Sequence, residues 1–355
     1  MNLKSTIILK PLKRISPSRY TAINRCPYRV VLANSCPSPL LPYLPTNHLG
    51  NIIHECLECI LTRKIETNEE FDEMWNQLLK KEEKILEDMG FGFFTPLSEN
   101  VPGYTIKKMQ VKSLLKSQRN VERNEGGKIK TSIETEKWLE SKDSLIGGYA
   151  DIIINQNDCT KLSEFKSGKI LIEEGEIKEE YEDQLKLYAY LYNEVNGKYP
   201  DKLTIIDLEK KEYSVDFAPP ECEELARKSR EMLSEINNRV EKGETKILTK
   251  PDLNNCRSCL YRPACDYYWD LSLSEIDSIF KDVRGNVLKV RQFRNGNLNA
   301  SLNKDDKELI VSHIASEYLS FLTSVVGKEV AFYNVKQSEI PERYQALKTT
   351  KVYEL

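Results

Sequence analysis

The residues best equipped for chemistry cluster between Gly147 and Tyr190, where GGYADIIINQNDCTKLSEFKSGKI leads through a charged loop into a segment carrying DQLKLYAY. Asp151 heads one strand-like run. Glu164 and Lys166 alternate along the next, so a period of two puts their side chains on one face. Gln184 and Tyr188 are four apart and share a face of the helix that follows. Two carboxylates are the hard oxygen ligands that Mg²⁺ or Mn²⁺ prefers. A lysine beside them is a point charge able to hold an attacking water or to stabilise charge developing on phosphate. This chemistry is metal-assisted hydrolysis of a phosphodiester. Taken singly, Glu-x-Lys is equally the mark of an exposed, salt-bridged strand; the ordered set is harder to obtain by chance.

A second constellation is built from cysteine. Residues 256–265 read CRSCLYRPAC, a C-x2-C-x5-C spacing. Two thiolates two residues apart can grip one metal centre, and a third arrives from the following loop. Cys26, in CPYR at the expected end of a short helix, supplies a fourth if the two segments meet. Nine cysteines in a chain expected to be intracellular favour ligation over disulfides. Cys36, Cys56, Cys59, Cys159 and Cys222 are read as packing residues.

The ordered set Gly148-x-x-Asp151, Glu164-x-Lys166, Gln184-x-x-x-Tyr188 resembles the PD-(D/E)xK nuclease superfamily, and its RecB-like branch in particular. The resemblance covers about residues 14–270. It implies an α/β fold of the restriction-endonuclease type, a mixed sheet flanked by helices. It gives catalytic roles to Asp151, Glu164, Lys166, Gln184 and Tyr188. His54, in GNIIHECLECILTR, interrupts an apolar helix face and could be a satisfied core residue, but Gly50-x-x-x-His54 resembles the first RecB-like motif, whose histidine is a metal ligand. The implied divalent site is then His54, Asp151 and Glu164, with Mg²⁺ or Mn²⁺. The cysteine pattern resembles the iron-sulfur subset of that branch, the AddB-type and CRISPR-adaptation nucleases. There the implied ligands Cys26, Cys256, Cys259 and Cys265 hold a 4Fe-4S cluster that closes the nuclease domain; zinc is the competing occupant.

The elements that must position these groups are legible in outline. Amphipathic helices are expected at Leu49–Arg63 and from Glu69 to the stop at Gly90. A helix at Lys107–Val121, studded with Lys107, Lys108, Lys112, Lys116 and Arg119, is either a solvated face or a wall of a DNA channel. A strand over Ile129–Glu140 brings Glu134 or Glu136 toward the site. Strands at Leu203–Leu208 and Glu212–Phe217 and a helix at Cys222–Val240 complete a mixed sheet with helices.

Length and 40% hydrophobic content allow two domains. They are expected as a nuclease domain at 1–271 and a small module at 272–355. The module orders its elements β-β-β-α-β-β, as an OB-like barrel does, with Arg291, Phe293, Arg294, Phe332 and Tyr333 available to bind single strands. The net charge of −3 excludes little, although residues 281–355 carry twelve basic against nine acidic residues. No P-loop is present, so unwinding would come from a partner, a helicase or other repair or defence protein. No apolar run approaches a membrane span and no secretory leader is evident, so the expected location is the cytoplasm, with no membrane partner. The expected substrate is DNA, single-stranded or at ends. A non-catalytic nucleic-acid-binding subunit and a zinc-stapled scaffold are the alternatives from other classes.

Overall fold

The computed structural model describes residues 7–124, 131–209, 211–270 and 280–355. The chain forms two compact units interleaved in sequence: one of Leu12–Asn24 with Leu44–Lys242, the other of Met1–Pro11, Arg25–Tyr43 and Gly243–Leu355. The expected boundary at 271/272 lies outside the described residues. In chain order the helices are α1 (Pro17–Arg25), α2 (Pro27–Ser35), α3 (Pro45–Leu61), α4 (Asn68–Asp88), α5 (Leu97–Asn100), α6 (Tyr104–Asn124), α7 (Glu179–Asn196), α8 (Pro219–Glu241), α9 (Leu253–Arg257) and α10 (Leu319–Ser324). The strands are β1 (Thr131–Glu140), β2 (Gly147–Gln156), β3 (Cys159–Lys166), β4 (Lys202–Asp207), β5 (Glu212–Val215), β6 (Phe280–Gln292), β7 (Leu298–Lys304), β8 (Lys307–Ile314), β9 (Glu329–Gln337) and β10 (Arg343–Glu354).

In the first unit β1 to β5 make one mixed sheet in sequence order. β1, β2 and β3 are antiparallel neighbours, β3 and β4 are parallel, and β5 returns antiparallel. A parallel pair cannot be joined by a tight turn, and α7 is the crossover that joins this one. Around the sheet, α3, α4 and α6 bury a common core of Leu49, Ile53, Phe71, Trp75 and Val111 together with Phe165 of β3. α4 starts where its sequence dictates. Thr67 accepts the Glu70 amide through Oγ1 at 3.1 Å, and the Glu70 carboxylate accepts the Thr67 amide at 3.0 Å, a reciprocal capping box. The expected basic face of α6 is partly committed: Lys108 and Lys112 both pair with Asp72 and lie against the Trp75 and Phe71 rings. The side chains of Lys116 and Arg119 lie outside the described residues.

In the second unit the five C-terminal strands close into a barrel of order β10-β8-β7-β6-β9, with only β10 and β8 parallel. Leu298, Leu302, Val311, Phe332 and Val335 fill it. Gly285 is required where β6 presses on β7, since a Cβ there would lie 2.7 Å from the Asn303 carbonyl oxygen. Two residues expected to be free for stacking are not. Phe332 points into the barrel, and Tyr333 is walled in by Tyr268, Trp269 and Tyr353 on its outside, so both are 0% exposed. Alternation along β9 sends one ring inward and the other outward, and here the outer face is covered as well. Arg291, Phe293 and Arg294 remain exposed, with the Arg291 guanidinium 5.9 Å from the Phe293 ring centre. No helix among the described residues is long and apolar enough to cross a membrane.

Candidate functional site

The sheet unit gathers the predicted catalytic residues. β2 delivers Asp151 and β3 delivers Glu164 and Lys166, and the antiparallel register that pairs Ile152 with Ser163 brings the two acids alongside each other. The Phe165 amide donates to Asp151 Oδ2 at 2.9 Å. Glu164 Oε1 accepts from Lys166 Nζ and from Gln184 Nε2, both at 2.7 Å, and Lys166 also donates to Gln184 Oε1 at 3.1 Å. This closed triangle fixes one carboxylate oxygen. The other, Glu164 Oε2, is fully buried and meets no amide, hydroxyl or ammonium donor; among the described residues the one group that can donate to it is the neighbouring Asp151 carboxyl when protonated. Burying such an oxygen is costly once both carboxyls have lost their protons, unless a cation from outside the chain satisfies it.

Electrostatics follow from enclosure. Burial pushes Asp151 up to about 6, against the Phe165 amide and Lys166, which pull it down. Burial and the neighbouring Asp151 push Glu164 up to about 7, with Lys166 opposing. Burial lowers Lys166, but Glu164, Asp151 and Tyr181 outweigh it and the net shift is upward, so the ammonium stays charged. Lys166 is therefore a fixed cation and not a proton acceptor. His54, on α3, sits edge-on to Phe165 at 5.7 Å and within electrostatic reach of Glu164 and Lys166. Burial holds it below its ordinary value, which keeps the imidazole neutral and able to act as a ligand.

Tyr188, one turn beyond Gln184, is 2% exposed and packs its hydroxyl over Gly148, where a Cβ would lie 3.0 Å away. The glycine of the G-x-x-D pattern thus makes room for the tyrosine of Q-x-x-x-Y. Sequence reasoning missed Tyr181, whose ring lies 4.9 Å from Lys166 Nζ. Its only signal was its place one turn before Gln184. Of the two β1 acids expected near the site, Glu136 faces it: it bears on Asp151, feels Glu164, and falls at φ 47 between the Thr135–Ile152 and Lys137–Ala150 pairs of the β1–β2 register, level with Asp151. Glu134 is occupied with Lys137 at 2.8 Å.

The four predicted cysteines also converge, in the unit that holds the barrel. Cys26 precedes α2 in extended backbone, Cys256 lies in α9, and Cys259 and Cys265 flank a 3₁₀ turn at Arg262–Ala264. All four are free thiols and line one cavity with Tyr28, Arg29, Asn255 and Arg262. Burial raises Cys265 to about 12, and the other three thiols add to the rise. By contrast Cys56, in the core against α4, is 0% exposed and is also pushed up to about 12 by burial, as a packing residue should be. Among the described residues no three His, Cys, Asp or Glu side chains are drawn together closely enough to hold a metal ion as they stand. The donor chemistry nonetheless fits metal at both places: a buried carboxylate oxygen without a donor in one, four converging thiols in the other.

The family profile described as PD-(D/E)XK nuclease superfamily matches residues 14–266. No protein of curated function matches the chain. Among solved structures, "Crystal structure of SSO0001" is similar at 16% identity over 63% of this chain and 94% of that one, with a TM-score of 0.26. "Crystal structure of the tetrameric p202 HIN2" is similar at 15% identity over 21% of this chain, with a TM-score of 0.18, and the chain spans 41% of its length.

Proposed function

The chain belongs to the PD-(D/E)XK nuclease superfamily, and from that premise we propose that it is a metal-dependent DNA nuclease of the RecB-like, iron-sulfur kind, acting on single strands or ends. The observation that carries the proposal is the orphaned Glu164 Oε2, buried beside Asp151 and His54 while Lys166 and Gln184 clamp Oε1. His54, Asp151 and Glu164 are the ligands for Mg²⁺ or Mn²⁺, which when bound supplies a Lewis acid for the phosphate and a more acidic water. Gln184 holds Glu164 so that one oxygen stays free. Lys166, permanently charged, holds the attacking water in place and offsets the negative charge gathering on the phosphoryl oxygens. Tyr188 fixes the pitch of α7 over Gly148 and so the reach of Gln184. Cys26, Cys256, Cys259 and Cys265 hold a 4Fe-4S cluster with a structural role, tying α2 to the segment before the barrel. The barrel, OB-like in its element order, contributes Arg291, Phe293 and Arg294 to the substrate strand. Lacking a P-loop in this sequence, the enzyme works with a helicase or other repair or defence partner, or on DNA already single-stranded.

The test compares wild type with Lys166→Ala, purified without oxygen, on 5′- and 3′-labelled single-stranded and duplex DNA with Mn²⁺, after recording the visible spectrum. Brown wild-type protein that degrades DNA, with cleavage at least about a hundredfold slower in K166A, supports both sites. Colourless protein with equal background cleavage in the two samples refutes them.

A further inference from the structure

Arg262 lies in sequence between Cys259 and Cys265 and lines the cavity the four cysteines share, as Arg29 does, and both cations act on Cys259. It is 5% exposed and each of its N–H groups has an oxygen acceptor, the Arg257 carbonyl taking one from Nη1 at 3.4 Å. Nε donates to Asp282 Oδ2 at 2.6 Å, and Nη2 donates to Asp282 Oδ1 at 3.3 Å and to Asn334 Oδ1 at 2.7 Å. Nη1 donates to the Cys259 carbonyl at 3.0 Å. Asp282, on β6 of the barrel, also accepts from the Tyr268 hydroxyl at 2.7 Å and the Asn334 amide at 2.8 Å. Barrel residues therefore set where this cation points.

A buried ion pair is weak evidence of stabilisation, because an apolar pair of similar volume often serves as well. What an apolar pair cannot do is act electrostatically on a thiolate, as Arg262 does on Cys259. Four thiolates on an oxidised 4Fe-4S core form a dianion, and one-electron reduction makes a trianion. In an enclosed site a fixed cation favours the more negative form. We propose that Arg262, oriented by Asp282, is a buried counter-charge of the four-cysteine centre, alongside the half-buried Arg29, and raises its reduction potential, with the barrel thereby part of the cluster's environment. This rests on the cluster reading given under the proposed function.

The two partners then act with opposite sign. Arg262→Gln removes the cation and lowers the potential. Asp282→Asn keeps the shape and much of the hydrogen bonding but removes the anion that offsets Arg262, and raises it. Arg262→Lys keeps the charge and stays near wild type. A purely structural role predicts something else: loosening the loop in either variant admits water and moves both potentials the same way.

The experiment is a dithionite titration of the full-length protein, purified without oxygen, as wild type, R262Q, R262K and D282N. It follows visible absorbance and the electron paramagnetic resonance of the reduced form, with iron content measured for each. Opposite displacements in R262Q and D282N, with R262K between them, are expected. If R262Q does not retain iron, the test passes to the other two, where an upward shift in D282N and a small one in R262K are required. Shifts of the same sign in R262Q and D282N, or none in D282N, overturn the proposal while leaving the cluster in place. A colourless, iron-free wild type overturns the cluster reading and this inference with it.

Discussion

Replacing Glu164 by Gln tests the site without measuring cleavage. In the metal-free fold Glu164 sits at about 7 against an ordinary 4.5. At about 1.4 kcal/mol per pKa unit, keeping it ionised inside the fold costs roughly 3 kcal/mol by pH 8. A folded value above the unfolded one means that this contribution to stability is fully present below pH 4.5 and lost as pH rises through 7. By pH 5 less than about 1 kcal/mol has been lost, so about 2 kcal/mol disappears between pH 5 and pH 8. The glutamine side chain of the variant has nothing to ionise. E164Q also deprives the Lys166 ammonium of its nearest partner, but that loss is constant over this range because Lys166 stays charged. The quantity to follow is thus the gap between the two proteins as a function of pH. In urea unfolding with a chelator present, E164Q should gain about 2 kcal/mol on wild type between pH 5 and pH 8. Saturating Mn²⁺ should close that gain by stabilising the wild type alone. A gap that does not change with pH would mean that Glu164 is not an enclosed, proton-hungry carboxylate, and the argument from its orphaned oxygen would fail.

Other consequences can be checked separately. Because Glu164 at about 7 and Asp151 at about 6 must both lose protons to bind metal, Mn²⁺ affinity measured calorimetrically should fall at least about tenfold from pH 8 to pH 6; a flat profile would contradict the ligand assignment. Gln184→Ala unclamps both Glu164 Oε1 and Lys166, so kcat should drop by about ten- to a hundredfold with little change in KM for DNA, and unchanged kcat would make Gln184 a packing residue. Substituting Arg291 and Arg294 by Ala in one variant should weaken single-strand binding and reduce the slope of log K against log salt by about 1 to 2. An unaltered slope would remove the barrel from the DNA path. Thr67→Ala, which breaks the α4 capping box, should cost about 1 kcal/mol in urea unfolding at neutral pH.

The sequence by itself determined which residues are equipped for chemistry and the order in which they come. The alternation that sets Glu164 and Lys166 on one face, the four-residue step from Gln184 to Tyr188 and the x2-x5 cysteine spacing are local periodicities, and local periodicity survives in one dimension. The β-β-β-α-β-β order of the tail was legible for the same reason, since alternation and glycine breaks mark each strand. What only the tertiary structure decided concerns groups that meet across distance or are covered by neighbours. That Lys166 and Gln184 both engage one oxygen of Glu164 and leave the other bare depends on where α7 lies over β3. Glu136 rather than Glu134 faces Asp151 because of strand register and a left-handed turn of the backbone at residue 136. Phe332 and Tyr333 looked available because alternation tells inward from outward but not whether the outer side is covered, and here Tyr268, Trp269 and Tyr353 cover it. Asp282 carried no signal at all. Its partner Arg262 is twenty residues away and Asn334 is fifty-two, and an ion pair between distant segments is written in the fold, where burial and charge are settled together, and not in any spacing along the chain.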